Sequence, residues 1–354
     1  MSHNLSRLLG IRHPLVQAPM ATAATPALVA AVSEAGALGS LAGGYMDAAQ
    51  IAAGIRDIRA LCEKPFALNL FVLPDEFEVD AGKVAASRAW LGELAGREGL
   101  DVPADVPTQW APRFSDQYAA LLDARPTVAS FAFGVLPAER VAELQRAGMR
   151  VVGTATTVEE ALAWEAVGAD AVALQGAEAG GHRGSFLRDF DESMVGLFAL
   201  IPQAARVVSI PLIAAGGIMD GRAMAAAEML GAAGSQLGTA FLTCTESGAS
   251  AGWKRDLAAA RDHSTIVTRG FSGRPARGLR NTYTRAVAGH EADFPGYPAQ
   301  NALTGALRRV AGQAGRADLI SEWAGQAASL VRPMPAGELV AILVDERDTA
   351  LAGR

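Results

Sequence analysis

Short, almost wholly apolar runs alternate along this chain with longer runs in which apolar residues return every three or four positions. Runs of the first kind read as strands buried on both faces, and runs of the second kind as helices with one apolar side. Eight strand-like runs stand out: PLVQAPM (14–20), ALGSLAGG (37–44), FALNLFV (66–72), TVASFAFG (127–134), RVVGTAT (150–156), ADAVALQG (169–176), IPLIAAGGI (210–218) and GSQLGTAFL (234–242). Helix-like runs at 25–36, 47–61, 137–148, 157–168, 193–206 and 220–231 separate most of them. The run at 25–36 carries its own punctuation, with Thr25 suited to the N-cap, Pro26 to the first helical position and Gly36 to the stop.

Strand–helix alternation joins strands in parallel through helical crossovers. Eight such units predict an α/β fold, a closed (β/α)8 TIM barrel. Two regions break the rhythm. Residues 74–125 are polar and helix-prone with several prolines, and predict a long excursion holding two helices. That excursion suits either a lid over the barrel mouth or a packing element on its flank. Residues 243–325 abandon the alternation and read as a second, smaller, mainly helical domain inserted after strand eight. The barrel then comprises 1–242 and 326–354, closing with the helix PAGELVAILVDERDTAL.

The 354 residues suffice for one large barrel with an insertion, and half of them are apolar. A net charge of −6 without blocks of like charge argues against a nucleic-acid partner. Cys62 and Cys244 stand far apart, which excludes a disulfide framework and points to a reducing cytoplasm. The N-terminal stretch lacks the apolar segment of a signal peptide, and no apolar run is long enough to span a membrane. No histidine, cysteine or carboxylate spacing suggests a metal site.

In such barrels the chemistry lies at the C-terminal ends of the strands. AAGGI (214–218) and QLGTAF (236–241) end the last two strands, where these barrels hold phosphate: glycine lets backbone N–H groups approach an anion, and a helix N-terminus adds partial positive charge. Neither a GxxxxGK[ST] loop nor a GxGxxG after the first strand is present, which disfavours ATP hydrolysis and a Rossmann dinucleotide site. A sugar phosphate and FMN remain. Asn69 and Gln175, at the ends of strands three and six, offer donor and acceptor together, which suits a flavin ring edge as well as nearby backbone. GAEAGGHRGSF (176–186) sets His182 among glycines after strand six, where an imidazole reaches the mouth as a base or a donor. The other histidines, His3, His13, His263 and His290, sit in no motif.

QAPM (17–20), LNLF (68–71), GAEAGGHRGSF, PLIAAGGI, QLGTAF and GFSGRPARG (270–278) together resemble the nitronate monooxygenase family, in order and over nearly the whole chain. The resemblance implies a TIM barrel with a smaller helical domain, non-covalent FMN, and oxidation of alkyl nitronates by O₂ to carbonyl compounds and nitrite, with neutral nitroalkanes as further candidates. It implies that His182 is catalytic. It assigns FMN to Met20, Asn69, Gln175, Gly180, Gly181, Gly217, Gln236, Leu237, Gly238 and Thr239. Tyr297, in YPAQNALTGALR, resembles a segment that faces the substrate, or else is a packing tyrosine. Many relatives carry a second histidine where this chain has Ala132. Arg274 and Arg277 suit either an anion or the pinning of the smaller domain. The alternative implied by build is an FMN-dependent NAD(P)H oxidoreductase of the enoyl or quinone reductase type; a flavin-binding sensor or storage protein is a third reading. Oligomeric state is not legible.

Overall fold

The structure, a computed structural model, describes residues 5–103 and 105–353, and His3 lies outside them. Its strands, in chain order, are β1 (Leu15–Gln17), β2 (Gly39–Ala42), β3 (Phe66–Phe71), β4 (Val128–Ala132), β5 (Arg150–Ala155), β6 (Ala171–Gln175), β7 (Gly181–His182), β8 (Leu212–Ala215), β9 (Gly234–Leu237), β10 (Thr265–Thr268) and β11 (Ala276–Leu279). Eight of them form one parallel sheet in the order β1-β9-β8-β6-β5-β4-β3-β2. The sheet closes on itself between β1 and β2: Val16 bridges Leu38, Leu38 N–H donates to Leu15 O at 2.9 Å, and Gln17 N–H donates to Leu38 O at 2.9 Å. The buried Gln17 side chain completes the seam by accepting from Ser40 N–H at 2.9 Å. All eight runs taken as strands belong to this barrel, and it is TIM-barrel-like, as expected.

The alternation of side chains along the strands explains both layers. Val16, Ala67, Val128, Val152, Ala171, Ala173 and Ile213 point into the barrel and pack with Leu5 and Leu9 of the N-terminal helix Leu5–Leu9, which plugs the lower end. Their neighbours Leu15, Leu68, Ala129, Val151, Val172 and Leu212 join the larger core with the surrounding helices. Two positions further along the inward rows stand Ala18, Asn69, Thr154, Gln175 and Ala215, which line a cavity instead of filling it. The inward rows therefore change from apolar to small or polar toward the C-terminal end.

The helix Pro26–Glu34 starts as its sequence directs, with Thr25 as N-cap accepting from Leu28 N–H and proline at its start. The helix Ala48–Leu61 begins at Asp47 with a reciprocal capping box to Gln50. The excursion does hold two helices, Ala81–Arg97 and Phe114–Ala124. The first is built into a second core: Leu91, Leu94 and Ala95 pack with Phe271, Tyr283, Val287, Phe294, Leu303, Leu307 and Leu319. Ser87 Oγ donates to Gln300 Oε1 at 2.7 Å inside it. This packing accounts for the buried Leu91, Leu94 and Ala95 of that helix. Between 243 and 325 the helices are joined by β10 and β11, which pair antiparallel with each other, and β11 pairs antiparallel with β7. Strands that short leave no periodic trace in sequence; they exist because β7, a piece of the barrel rim, supplies their edge partner.

Candidate active site

β7 answers what the glycine-rich stretch 176–186 is for. Gly181 takes φ +74°, and Gly180 lies so close to the 324–325 backbone that a Cβ there would stand 2.5 Å from Gly325 N. Only glycine permits both the turn and the approach. His182 pairs with Ala276, Gly181 pairs with Arg277, and Arg183 N–H donates to Pro275 O at 2.8 Å. The loop is thus a strand of the smaller sheet, and it holds His182 over the barrel mouth.

Side chains brace it from both sides. Gln175 Nε2 donates to His182 O at 2.9 Å, and its Oε1 accepts from Gly184 N–H at 2.8 Å. Buried Arg183 donates to the carbonyl oxygens of Gln175, Thr156 and Ser193. Arg274 donates to the carbonyls of Arg183 and Ser185, and Arg277 to Ala177 O at 3.0 Å and Thr265 Oγ1 at 3.3 Å. Both arginines pin this loop. Buried Glu160 accepts from Thr156 N–H and Oγ at 2.6 Å and from Leu187 N–H at 3.0 Å, fixing the far end.

The imidazole stands in an aromatic box. Its ring centroid lies 6.5 Å from Phe71, 5.7 Å from Phe133, 5.9 Å from Tyr297 and 5.5 Å from Trp323. Phe133 takes φ +74°, a strained conformation for a bulky residue; it stacks on Phe71 at 4.1 Å, with the Arg274 guanidinium 3.9 Å above it. His182 Nε2 lies 2.8 Å from Ser272 Oγ. The Ser272 hydroxyl donates to Arg274 O at 3.0 Å and accepts from Arg274 N–H at 3.3 Å. Its single proton being used there, Ser272 Oγ accepts from Nε2–H, which leaves Nδ1 as the ring nitrogen with a lone pair. Burial, then the Arg274 and Arg308 charges, lower the His182 pKa to about 3, so the ring is neutral at physiological pH.

The residues singled out in sequence converge on one cavity. Met20, Asn69, Gln175, Gly180, Gly181, His182, Gly217, Gln236, Gly238 and Thr239 all line it, with Ala132 in the same wall. Leu237 does not: it is 1% exposed, in the large core, and only its carbonyl reaches the rim, accepting from Ala18 N–H at 2.8 Å. The alternation along β9 turns Gln236 inward and Leu237 outward. Tyr297 reaches the site through its ring against His182. Asn69 Nδ2 donates to Ser130 Oγ at 3.1 Å. Ser272, Phe71, Phe133 and Trp323 were not found from sequence. Ser272 lies inside the quoted GFSGRPARG, where the arginines drew attention; the aromatics meet only through the fold.

On the other side of the mouth, β8 and β9 are hydrogen-bonded neighbours, so their terminal loops are adjacent. Gly216 and Gly217 take φ +120° and +70°, and among the described residues no protein carbonyl takes up the N–H groups of Gly217 or Gly238. Thr239 Oγ1 accepts from Gly325 N–H at 3.0 Å, which leaves its own proton to donate. This is a cradle of free donors at two glycines and a hydroxyl, and it fits a phosphoryl group. Among the described residues no cluster of His, Cys, Asp and Glu could hold a metal ion, and no helix is long and apolar enough to cross a membrane.

Comparisons with known proteins cover the whole chain. A family model described as nitronate monooxygenase matches residues 2–346. A "Probable nitronate monooxygenase" of Staphylococcus aureus (strain Newman) is 38% identical over 345 residues, 97% of each chain. Among solved structures, a nitroalkane oxidase from Streptomyces ansochromogenes superposes with a TM-score of 0.89 at 41% identity, covering 99% of both chains. FabK from Thermotoga maritima superposes with a TM-score of 0.78 at 31% identity, over 99% of this chain and 97% of that one. With a whole-length family match and whole-length relatives above 30% identity, the chain belongs to the nitronate monooxygenase family and is an oxidoreductase.

Proposed function

We propose that this protein oxidises alkyl nitronates with O₂, using non-covalently bound FMN, to carbonyl compounds and nitrite. The observation that carries the reading is the single cavity in which bare glycine amides face a neutral, braced histidine, in a chain of this family. Gly217, Gly238 and Thr239 would hold the phosphoryl end of FMN. Met20, Asn69 and Gln236 would flank its ring. Bound there, the flavin supplies the oxidation–reduction chemistry.

The chain's own residues place and exclude. Phe71, Phe133, Tyr297 and Trp323 keep water from the substrate, which strengthens every charge interaction inside. Nε2–H is tied to Ser272, so Nδ1 is the position that accepts a proton. A nitronate needs no proton removed; a neutral nitroalkane does, and Nδ1 takes it from the α-carbon. Burial first, and the two guanidiniums after it, lower the ring's pKa to about 3 and make it a weak base, and an anion beside it offsets only the guanidiniums. The site therefore favours substrates that arrive already ionised. Gln175 holds the loop bearing His182 by both ends of its amide, a role beside any contact with a ring.

The barrel, 1–242 with 326–354, would supply the cofactor cradle, and 243–325 the brace for His182. A cytoplasmic setting suits two cysteines that are both free and buried. The test is oxygen uptake and nitrite release by the FMN-loaded protein with an alkyl nitronate and no pyridine nucleotide. Uptake that requires NAD(P)H overturns the reading.

A further inference from the structure

One wall of this site holds a guanidinium N–H without a protein partner among the described residues. Beside the mouth a broad groove runs between the helices Ala48–Leu61 and Phe114–Ala124 and the segment 297–308, and Tyr45 lines both groove and inner cavity. Tyr297 and Arg308 line the groove next to it. Arg308 Nε is buried there with no hydrogen-bond partner, and the buried Tyr297 hydroxyl faces that of Tyr45. Arg308, on the helix Gly305–Gln313, donates through Nη2 to Asn301 O at 2.8 Å and Oδ1 at 3.0 Å; its contacts include no carboxylate among the described residues. Arg274 likewise bonds to backbone carbonyls. Two guanidiniums thus act on one aromatic box with no counter-ion inside it. A half-buried cation with no carboxylate beside it is a built-in attraction for an anion from solution.

We propose that Arg308 is a specificity-determining residue that selects the anionic nitronate over the neutral nitroalkane, acting by charge across Tyr45 and Tyr297 from the inner end of the groove. The inference rests on the nitronate reading above. A nitronate carries a full negative charge shared by two oxygens, whereas the neutral nitroalkane presents only a dipole. Charge–charge attraction persists over the width of a side chain when little water intervenes. Arg308 therefore contributes to binding the anion and not to the reacting step. The charged and titratable groups acting on His182 are Arg274 and Arg308, with the Tyr297 hydroxyl on the ring packed against it. Its other neighbours, Phe71, Phe133, Trp323 and Ser272, do not titrate.

The test measures initial rates of the holoenzyme with propyl-2-nitronate and with 2-nitropropane across pH. Arg308→Met is expected to raise KM for the nitronate about tenfold or more, with kcat little changed and KM for 2-nitropropane unmoved. The acid limb of the 2-nitropropane profile, where His182 is the base, is expected to move to higher pH, since one of two cations that disfavour its protonation is gone. Arg308→Lys, which keeps the charge, restores most of the loss. Arg308→Gln, which keeps a donor toward Asn301, replaces the methionine variant if that one does not fold. Equal effects on both substrates, or an unchanged nitronate KM in a protein whose wild type turns nitronate over, overturn the role of Arg308 and leave the functional reading standing. A wild type inert toward nitronates removes both.

Discussion

Two glycine-rich stretches face each other across the barrel mouth, and they use glycine for opposite ends. In 176–186 glycine makes room: Gly180 lets the backbone press against 324–325, and side chains from Gln175, Arg274 and Arg277 then occupy the loop's carbonyls. In the loops after β8 and β9 glycine leaves room: Gly217 and Gly238 keep their N–H groups unclaimed. One stretch is filled with hydrogen bonds and rigid, as a residue that handles substrate requires. The other is stripped, as a receptor for an anion requires. Glycine content alone does not separate the two; which of the backbone groups are already satisfied does.

The comparison breaks cleanly if the two sides can be disabled separately. His182→Asn should lower kcat/KM for a neutral nitroalkane by about 10²–10⁴-fold while FMN binding, followed by fluorescence titration, stays intact. Gly238→Val should do the reverse. A Cβ there meets only Ala18 Cβ at 3.5 Å and Met20 Sδ at 3.6 Å, both ordinary van der Waals contacts, so the first carbon of the side chain fits. The larger side chain would fill the cradle and weaken FMN binding about a hundredfold, the worth of one or two hydrogen bonds to a charged group. A Gly238→Val protein that keeps its flavin would show that the bare amides serve something else.

Gln175 sharpens the contrast, because it stands between the two sides. Gln175→Leu leaves His182 O and Gly184 N–H without their partner, and should cost about 2–3 kcal/mol of stability in chemical denaturation. A brace loses stability and turnover; a cofactor ligand loses FMN affinity first.

The smallest effect is on pH dependence. The folded His182 pKa of about 3 lies below the ordinary 6.5, so its contribution to stability is present above pH 6.5 and is lost as pH falls toward 3. His182→Asn should flatten the acid side of the stability curve. Glu322 has the opposite sign. Burial raises its carboxyl from 4.5 to about 8, so its contribution is present below pH 4.5 and lost as pH rises through 8. Glu322→Gln should flatten the neutral-to-alkaline side and leave the acid side alone.

The barrel was legible because each strand is buried on both faces and each crossover helix is amphipathic, patterns written locally in the chain. The cavity was legible for a related reason: residues at strand ends meet at one rim whatever their separation in sequence. What escaped was non-local. Leu237 was taken with its neighbours as a cofactor contact, and the two-residue alternation of β9 instead turns it into the core. β10 and β11 need β7 as an edge partner. Ser272 orients His182 from 90 residues away, and no spacing announces such a pair. The helix Ala81–Arg97 lies in a stretch that reads as polar, and only the second core reveals what its Leu91, Leu94 and Ala95 cover.

The account's central claim is that substrate alone, without a pyridine nucleotide, delivers electrons to a flavin held at this mouth. The direct measurement is the visible absorption of the FMN-loaded protein under anaerobic conditions, titrated first with propyl-2-nitronate and separately with NADH. The account predicts that the nitronate bleaches the flavin band and that NADH leaves it unchanged. Bleaching by NADH with no response to nitronate would contradict it.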